Sequence, residues 1–140
     1  MKQVFSADAP SGLPDGFYIG MMCSPILKTK VTVTVVFYNN TNTDVDVAWA
    51  NSHLYKVTVT DNEGTVFDLE KLLPAPHPDQ PPTPVPATQQ HRMVFPVDTS
   101  LAPYAGVFSF DPAKGPYTFR LVLNSPSHPY TLSETVPVLS

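Results

Sequence analysis

Cysteine is nearly absent from this chain: Cys23 is the only one among 140 residues. No intrachain disulfide can form, so the fold stands on packing alone, and a chain of this length can bury a core without staples. That is compatible with a reducing cytoplasm and also with a periplasm, because disulfides are permitted there but not required. Charge is scarce as well. Only 14% of residues are charged, against roughly a quarter in an ordinary globular protein. The net charge is −4 and no basic run is present, so nucleic acid is not an expected partner. No stretch approaches the ~20 apolar residues of a membrane span. The beginning, "MKQVFSADAPSG", has no apolar core, so neither a membrane span nor a signal peptide is expected. Helical periodicity is missing too. The one candidate, "VFDLEKLL", is too short to stand alone.

What is there is β-structure and proline. The apolar share of 42% is near the globular norm and argues against a disordered chain. "KVTVTVVFY" alternates Val31, Val33, Val35 and Phe37 on one face against Thr32, Thr34, Val36 and Tyr38 on the other, the period of a strand rich in β-branched residues. "NNTNTD" reads as a turn. "DVDVAWA" then places Val45, Val47 and Trp49 inward, with Asp44, Asp46 and Ala48 outward. "HLYKVTVTD" gives Tyr55, Val57 and Val59 one face, and "DNEG" (Asp61–Gly64) is a hairpin turn before a returning "TVFDL". Further strands are expected in "GFYIGMMC", with Ile19, Met21 and Cys23 as core filling, in "QQHRMVFPV", in "GPYTFRLVLN" and in "LSETVPVLS", where Pro137 implies an edge or a bulge. "MKQVFSA" is a further candidate strand. Seven to nine short strands with one wet face each predict an immunoglobulin-like antiparallel β-sandwich. Trp49 suits its core, and "GPY" before the penultimate strand suggests a tyrosine corner at Tyr117.

Seventeen prolines exceed the usual share of about 5% more than twofold, and seven of them fall between Pro74 and Pro86. The segments on either side hold too few strands to close separate sandwiches, since a lone core below ~70–80 residues is marginal. The expectation is therefore one domain over residues 1–140, with a proline-rich loop (residues 74–90) inside it. Proline keeps such a loop extended and lowers the entropy cost of ordering it, and long loops inside compact domains are often functional. The candidate binding residues are Pro76, His77, Pro78, Asp79, Gln80, Pro81 and Pro82. The alternative is a crossover between sheets, stiffened by proline.

Chemistry-bearing motifs are thin. His53, His77, His91 and His128 show no metal-ligand spacing and read as surface or loop residues. The series Asn40, Asn42, Asp44 and Asp46 resembles the start of a calcium loop but lacks its glycine and closing glutamate. Calcium between loops, with Asp61 or Glu63, stays an alternative to solvated turn residues. Asp68 and Glu70 are expected to share the wet face of a strand. There is no nucleophile motif or phosphate loop, and Cys23 sits in an apolar setting where a thiol is inert. No enzyme activity, no metal and no cofactor are expected. "NNT" (Asn39–Thr41) matches a glycosylation sequon but is taken as a turn. Tyr55, Tyr104 and Tyr130 are candidate sugar-stacking aromatics.

The segments "VTVTVVFYNNTNTDVDVAW", "YKVTVTDNEGTVF", "MVFPVD" and "GPYTFRLVL" in this order are similar to those of the BsuPI-type intracellular proteinase inhibitors. These small immunoglobulin-like sandwiches have a comparable strand–Asn-rich turn–strand unit, a hairpin and a closing strand. The resemblance spans Val31 to Leu123. The proline run stands where that family has a shorter loop, and the first thirty residues are extra. The resemblance implies a protein partner, with a protease as the specific case. The function expected is thus a non-catalytic protein-binding module, inhibitor-like, acting through the proline-rich loop. The alternatives are a carbohydrate- or surface-binding accessory domain and a structural subunit pairing through edge strands.

Overall fold

A computed structural model describes residues 16–139 together with the backbone of Val4–Phe5. In chain order its strands are β1 (Val4–Phe5), β2 (Phe17–Cys23), β3 (Ile26–Leu27), β4 (Lys30–Asn39), β5 (Val45–Val47), β6 (Tyr55–Thr60), β7 (Val66–Asp68), β8 (Thr83–Val85), β9 (Gln90–Asp98), β10 (Tyr117–Leu123), β11 (Thr131–Val136) and β12 (Val138–Leu139). The only helical pieces among the described residues are 3-10 turns at Leu69–Leu72 and Pro112–Lys114. These segments outnumber the seven to nine expected because proline cuts continuous strands. Pro25 lies between β2 and β3, and Pro137 between β11 and β12.

The first sheet is built on β4. β2 and β3 pair along one of its edges and β9 along the other, all antiparallel, while β1 extends the sheet beyond β2. The alternation does what its period requires: Val31, Val33, Val35 and Phe37 are each at most 1% exposed, and burying a side chain of this size contributes roughly 1.5–3 kcal/mol. The opposite face is not uniformly wet, since Val36 and Met22 are also buried. Met22 faces Thr34 and Gly20 faces Val36, so the two apolar side chains lie diagonally across the ladder, within reach of each other.

The second sheet has the order β11-β10-β6-β7, antiparallel throughout. Tyr117, Phe119, Leu121 and Leu123 of β10 and Val57 and Val59 of β6 are buried with the β4 residues in one core. At Pro137 the missing N–H ends the β11 ladder. The chain then crosses to the other sheet, where β12 pairs in parallel with β3 and the Pro137 carbonyl accepts the Ile26 N–H at 2.9 Å. Gly115 permits this seat, because a Cβ there would lie 2.8 Å from Val138 Cγ2. The result is an immunoglobulin-like sandwich held without a disulfide. Strands from before and after the proline run share both sheets, as in the β4–β9 and β6–β10 ladders.

Trp49 is buried as expected, but it lies just past β5 rather than on a central strand. The Asp61–Gly64 turn joins β6 to β7, with Gly64 at φ +86, a conformation that favours glycine. The candidate edge strands are used within the chain: Val4–Phe5 pairs with β2, and β12 with β3. The rest of "MKQVFSA" lies outside the described residues.

The tyrosine corner is present. The Tyr117 hydroxyl accepts the Asp111 N–H at 2.8 Å and lies 3.4 Å from the Asp111 carbonyl, to which it donates. Phe110 packs edge-on against its ring at 5.2 Å. Tyr117→Phe keeps the packing and strands that N–H. It should cost about 1–2 kcal/mol, read as a lower urea midpoint at unchanged slope.

His128, expected at the surface, is buried instead, with its ring 5.0 Å from that of Phe17 and its Nδ1 2.7 Å from Ser127 Oγ. Burial disfavours the imidazolium and lowers its proton affinity. The unfolded chain binds this proton near pH 6.5. Stability from the neutral ring is therefore complete above that pH and falls as pH drops through it towards the depressed folded value. His128→Phe should flatten this part of the stability–pH curve in denaturant melts.

Candidate functional site

The proline-rich segment leaves the second sheet at β7. Asp68 caps the 3-10 turn that follows by accepting the Glu70 N–H at 3.1 Å. Asp68 and Glu70 therefore do not share the wet strand face expected from their spacing, because the strand ends at Asp68 and Glu70 lies in the turn. Pro76, His77, Pro78, Asp79, Pro81 and Pro82 are exposed and Gln80 is half-buried. The structure brings these residues together as one surface stretch.

That stretch is fixed at both ends. On the entry side, the His77 N–H donates to Ser52 Oγ at 2.8 Å, and the His77 carbonyl accepts the Ser52 N–H at 2.9 Å. One residue along, His53 lies between Glu70 and the proline run, with Nδ1 3.3 Å from Glu70 Oε2 and Nε2 2.7 Å from the Pro74 carbonyl. On the exit side, β8 pairs with β5, and Val85 is fully buried. The Trp49 indole N–H donates to Thr83 Oγ1 at 2.9 Å, and Asp44 Oδ1 accepts the Ala87 N–H at 2.9 Å.

The deepest anchor is Asn39, the last residue of β4, 2% exposed. Its amide nitrogen donates to the Thr43 carbonyl at 2.8 Å and to the Val85 carbonyl at 2.9 Å. Its oxygen accepts the Thr41 N–H at 3.0 Å and the Thr41 hydroxyl at 2.6 Å. All four hydrogen-bonding positions of the side chain are thus filled, and the sequon asparagine is a structural amide at the start of the turn. Nothing in the local sequence marks this role, because Val85 is 46 residues away.

Beside the anchored run a cleft of about 300 Å³ opens between the two sheets. Tyr55 and Val57 of β6 line one wall and Phe95 and Val97 of β9 the other, with Leu69, Leu73 and Tyr104 at the ends and His53 and Glu70 at the rim. Tyr55 stacks on Phe95 at 5.2 Å and donates its hydroxyl to Met93 Sδ at 2.8 Å. Its burial holds the phenol strongly in the neutral form. The His53–Glu70 pair looks like part of a hydrolytic relay. However, Nε2 meets a backbone carbonyl, not a hydroxyl or thiol, so no nucleophile is positioned on it.

The other sequence candidates disperse. Tyr55 and Tyr104 are half-buried in the cleft and Tyr130 is in the core, so the three do not form an exposed stacking surface. Asp44 and Asp61 stand at opposite ends of the sandwich. Asp44 follows the end of β4, near Asn39, whereas Asp61 is buried beyond the end of β6, where Asn62 bonds to the Lys114 and Gly115 carbonyls. Asp61 Oδ1 already accepts the Glu63 and Thr65 N–H groups, both at 2.9 Å. Among the described residues no group of three or more potential metal ligands comes together. The Cys23 thiol is half-buried, and burial and the neighbouring Glu134 carboxylate drive its proton affinity far up, which leaves it a poor nucleophile.

No family model matches the chain, and no curated protein matches it in sequence. Among the described residues no helix is long and apolar enough to cross a membrane.

Asn39→Ala should cost several times more than a surface substitution. It takes the side-chain donor from the buried Val85 carbonyl and the acceptor from the Thr41 N–H, at about 1–3 kcal/mol for a buried group left unpaired, while the exposed Thr43 carbonyl keeps the Thr41 hydroxyl. The expected signature is a large loss in denaturant stability together with faster hydrogen exchange at Ala87 and Thr88.

Proposed function

We propose that this protein is a non-catalytic protein-binding module that presents Pro76–Pro82 as a pre-formed recognition element, inhibitor-like in its mode of action. The observation that carries this reading is the combination of exposure and anchorage. The stretch is solvent-facing, yet it is tied down at His77 and Pro74 on one side and through β8 on the other. Holding a segment in one conformation before binding removes much of the ordering cost of association. Proline also fixes φ and removes the N–H that an extended substrate offers to a protease. A protease that docked on this stretch would find few peptide bonds presented as a substrate.

The test is limited proteolysis of the intact protein with a panel of serine, cysteine and metallo-proteases, including one of broad specificity. Each protease is also assayed on an independent substrate in the presence of this protein. The expected outcome is that residues 72–92 stay uncut and that one protease is slowed. A Pro78→Gly/Pro81→Gly variant should relieve that slowing by about tenfold, since it restores the conformational freedom of the run. Rapid cleavage within the run with no protease slowed would refute the proposal.

A further inference from the structure

Among the described residues the sandwich is open along one side. β9 is bonded to β4 through one edge only. The phase of that ladder follows from Thr32. Its N–H donates to Ser24 Oγ at 2.8 Å and its carbonyl accepts the Ser24 N–H at 2.9 Å. Both groups therefore face away from β9, and the Thr32–Pro96 pair makes no ladder bonds. By the same alternation, the backbone groups of Val94 and Arg92 point to the outer edge. Among the described residues none of them has a hydrogen-bond partner. Val94 is 61% exposed. Pro96 is tolerated there because its missing N–H would also have pointed outward.

This open edge borders the cleft. Phe95 and Val97, the neighbours of Val94 and Pro96, form one of its walls. We propose that the β9 edge and the cleft together form a docking site for an extended, apolar segment of a partner protein, added to the first sheet as a further strand. Unpaired N–H and C=O groups call for another backbone, which points to a peptide rather than a compact ligand. In an added strand, side chains two residues apart lie about 7 Å from each other on one face. That face would enter the cleft against Phe95, Tyr55 and Leu69. The other face would lie beside Val94 and Arg92. Arg92 has no ion pair among the described residues, so an acidic residue is favoured there. The site does not depend on the proline run being a recognition element.

The probe is a synthetic peptide of about six residues that alternates valine with threonine and carries one glutamate on the threonine side. A control peptide has N-methyl groups on the residues whose N–H would meet β9. Binding is followed by NMR titration and amide exchange on the full chain. The Arg92 and Val94 amides should exchange about tenfold more slowly in the complex, and N-methylation should weaken binding by about tenfold. Val94→Pro removes an N–H that the β4–β9 ladder does not use, so the melting temperature should hold while binding falls. Leu73→Trp fills the cleft and should abolish binding with the edge intact, which keeps the test decisive if Val94→Pro folds poorly. No binding at millimolar peptide, or equal binding to both peptides, would overturn the proposal. So would concentration-dependent dimerisation that Val94→Pro abolishes, because the edge would then belong to a second copy of this chain.

Discussion

Backbone pairing along both edges of β4 is the constraint on which the rest of the molecule depends. The strand carries four buried side chains in a row and is bonded to β2 and β3 on one side and β9 on the other. A one-residue slip would turn Val31, Val33, Val35 and Phe37 outward, so its register is set by burial. That register then places Asn39 at the end of the strand, where its side chain takes over from the backbone ladder and reaches Val85. It also fixes which groups of β9 are consumed and which are left at the outer edge.

The proline run follows from this frame. A long irregular segment must satisfy its backbone groups or leave them in water, and proline reduces the problem by removing donors. Several of the remaining groups are met by Ser52, His53, Asp44 and β5, and exposed ones face water. The same economy explains how a chain with little charge stays ordered. Among the described residues the close contacts between oppositely chargeable side chains are His53 beside Glu70 at 3.3 Å and the exposed Lys114–Glu63 pair at 3.8 Å, and exposed pairs contribute little. Order rests instead on packing and on amide and hydroxyl bonds such as those of Asn39, Trp49 and Tyr117.

The cleft and the anchored run lie side by side, joined at His53, Glu70 and Leu73. Two surfaces of different character thus meet at one rim. One is an exposed stretch with few donors, anchored at both ends, and the other an apolar slot bordered by strand groups that have no partner among the described residues. Neither places a nucleophile against the histidine.

Period-two alternation made the strands and their buried faces legible in the sequence, because that signal is local: β4, β6, β9 and β10 lie where the pattern put them. The hairpin at Gly64 and the corner at Tyr117 were legible for the same reason, since their partners are within six residues. Reading failed where burial depends on distant chain. Local sequence places His128 at the surface and Tyr55, Tyr104 and Tyr130 in the open, yet His128 and Tyr130 are buried and Tyr55 and Tyr104 half-buried. The sequence by itself determined an all-β sandwich with an extended proline segment, since dihedral preference and side-chain period act over a few residues. Only the tertiary structure decided that this segment is pinned, through Trp49 to Thr83 over 34 residues and Asn39 to Val85 over 46. It alone decided that, among the described residues, β9 keeps an open edge beside a cleft, because a strand's free side is defined by which other strands arrive.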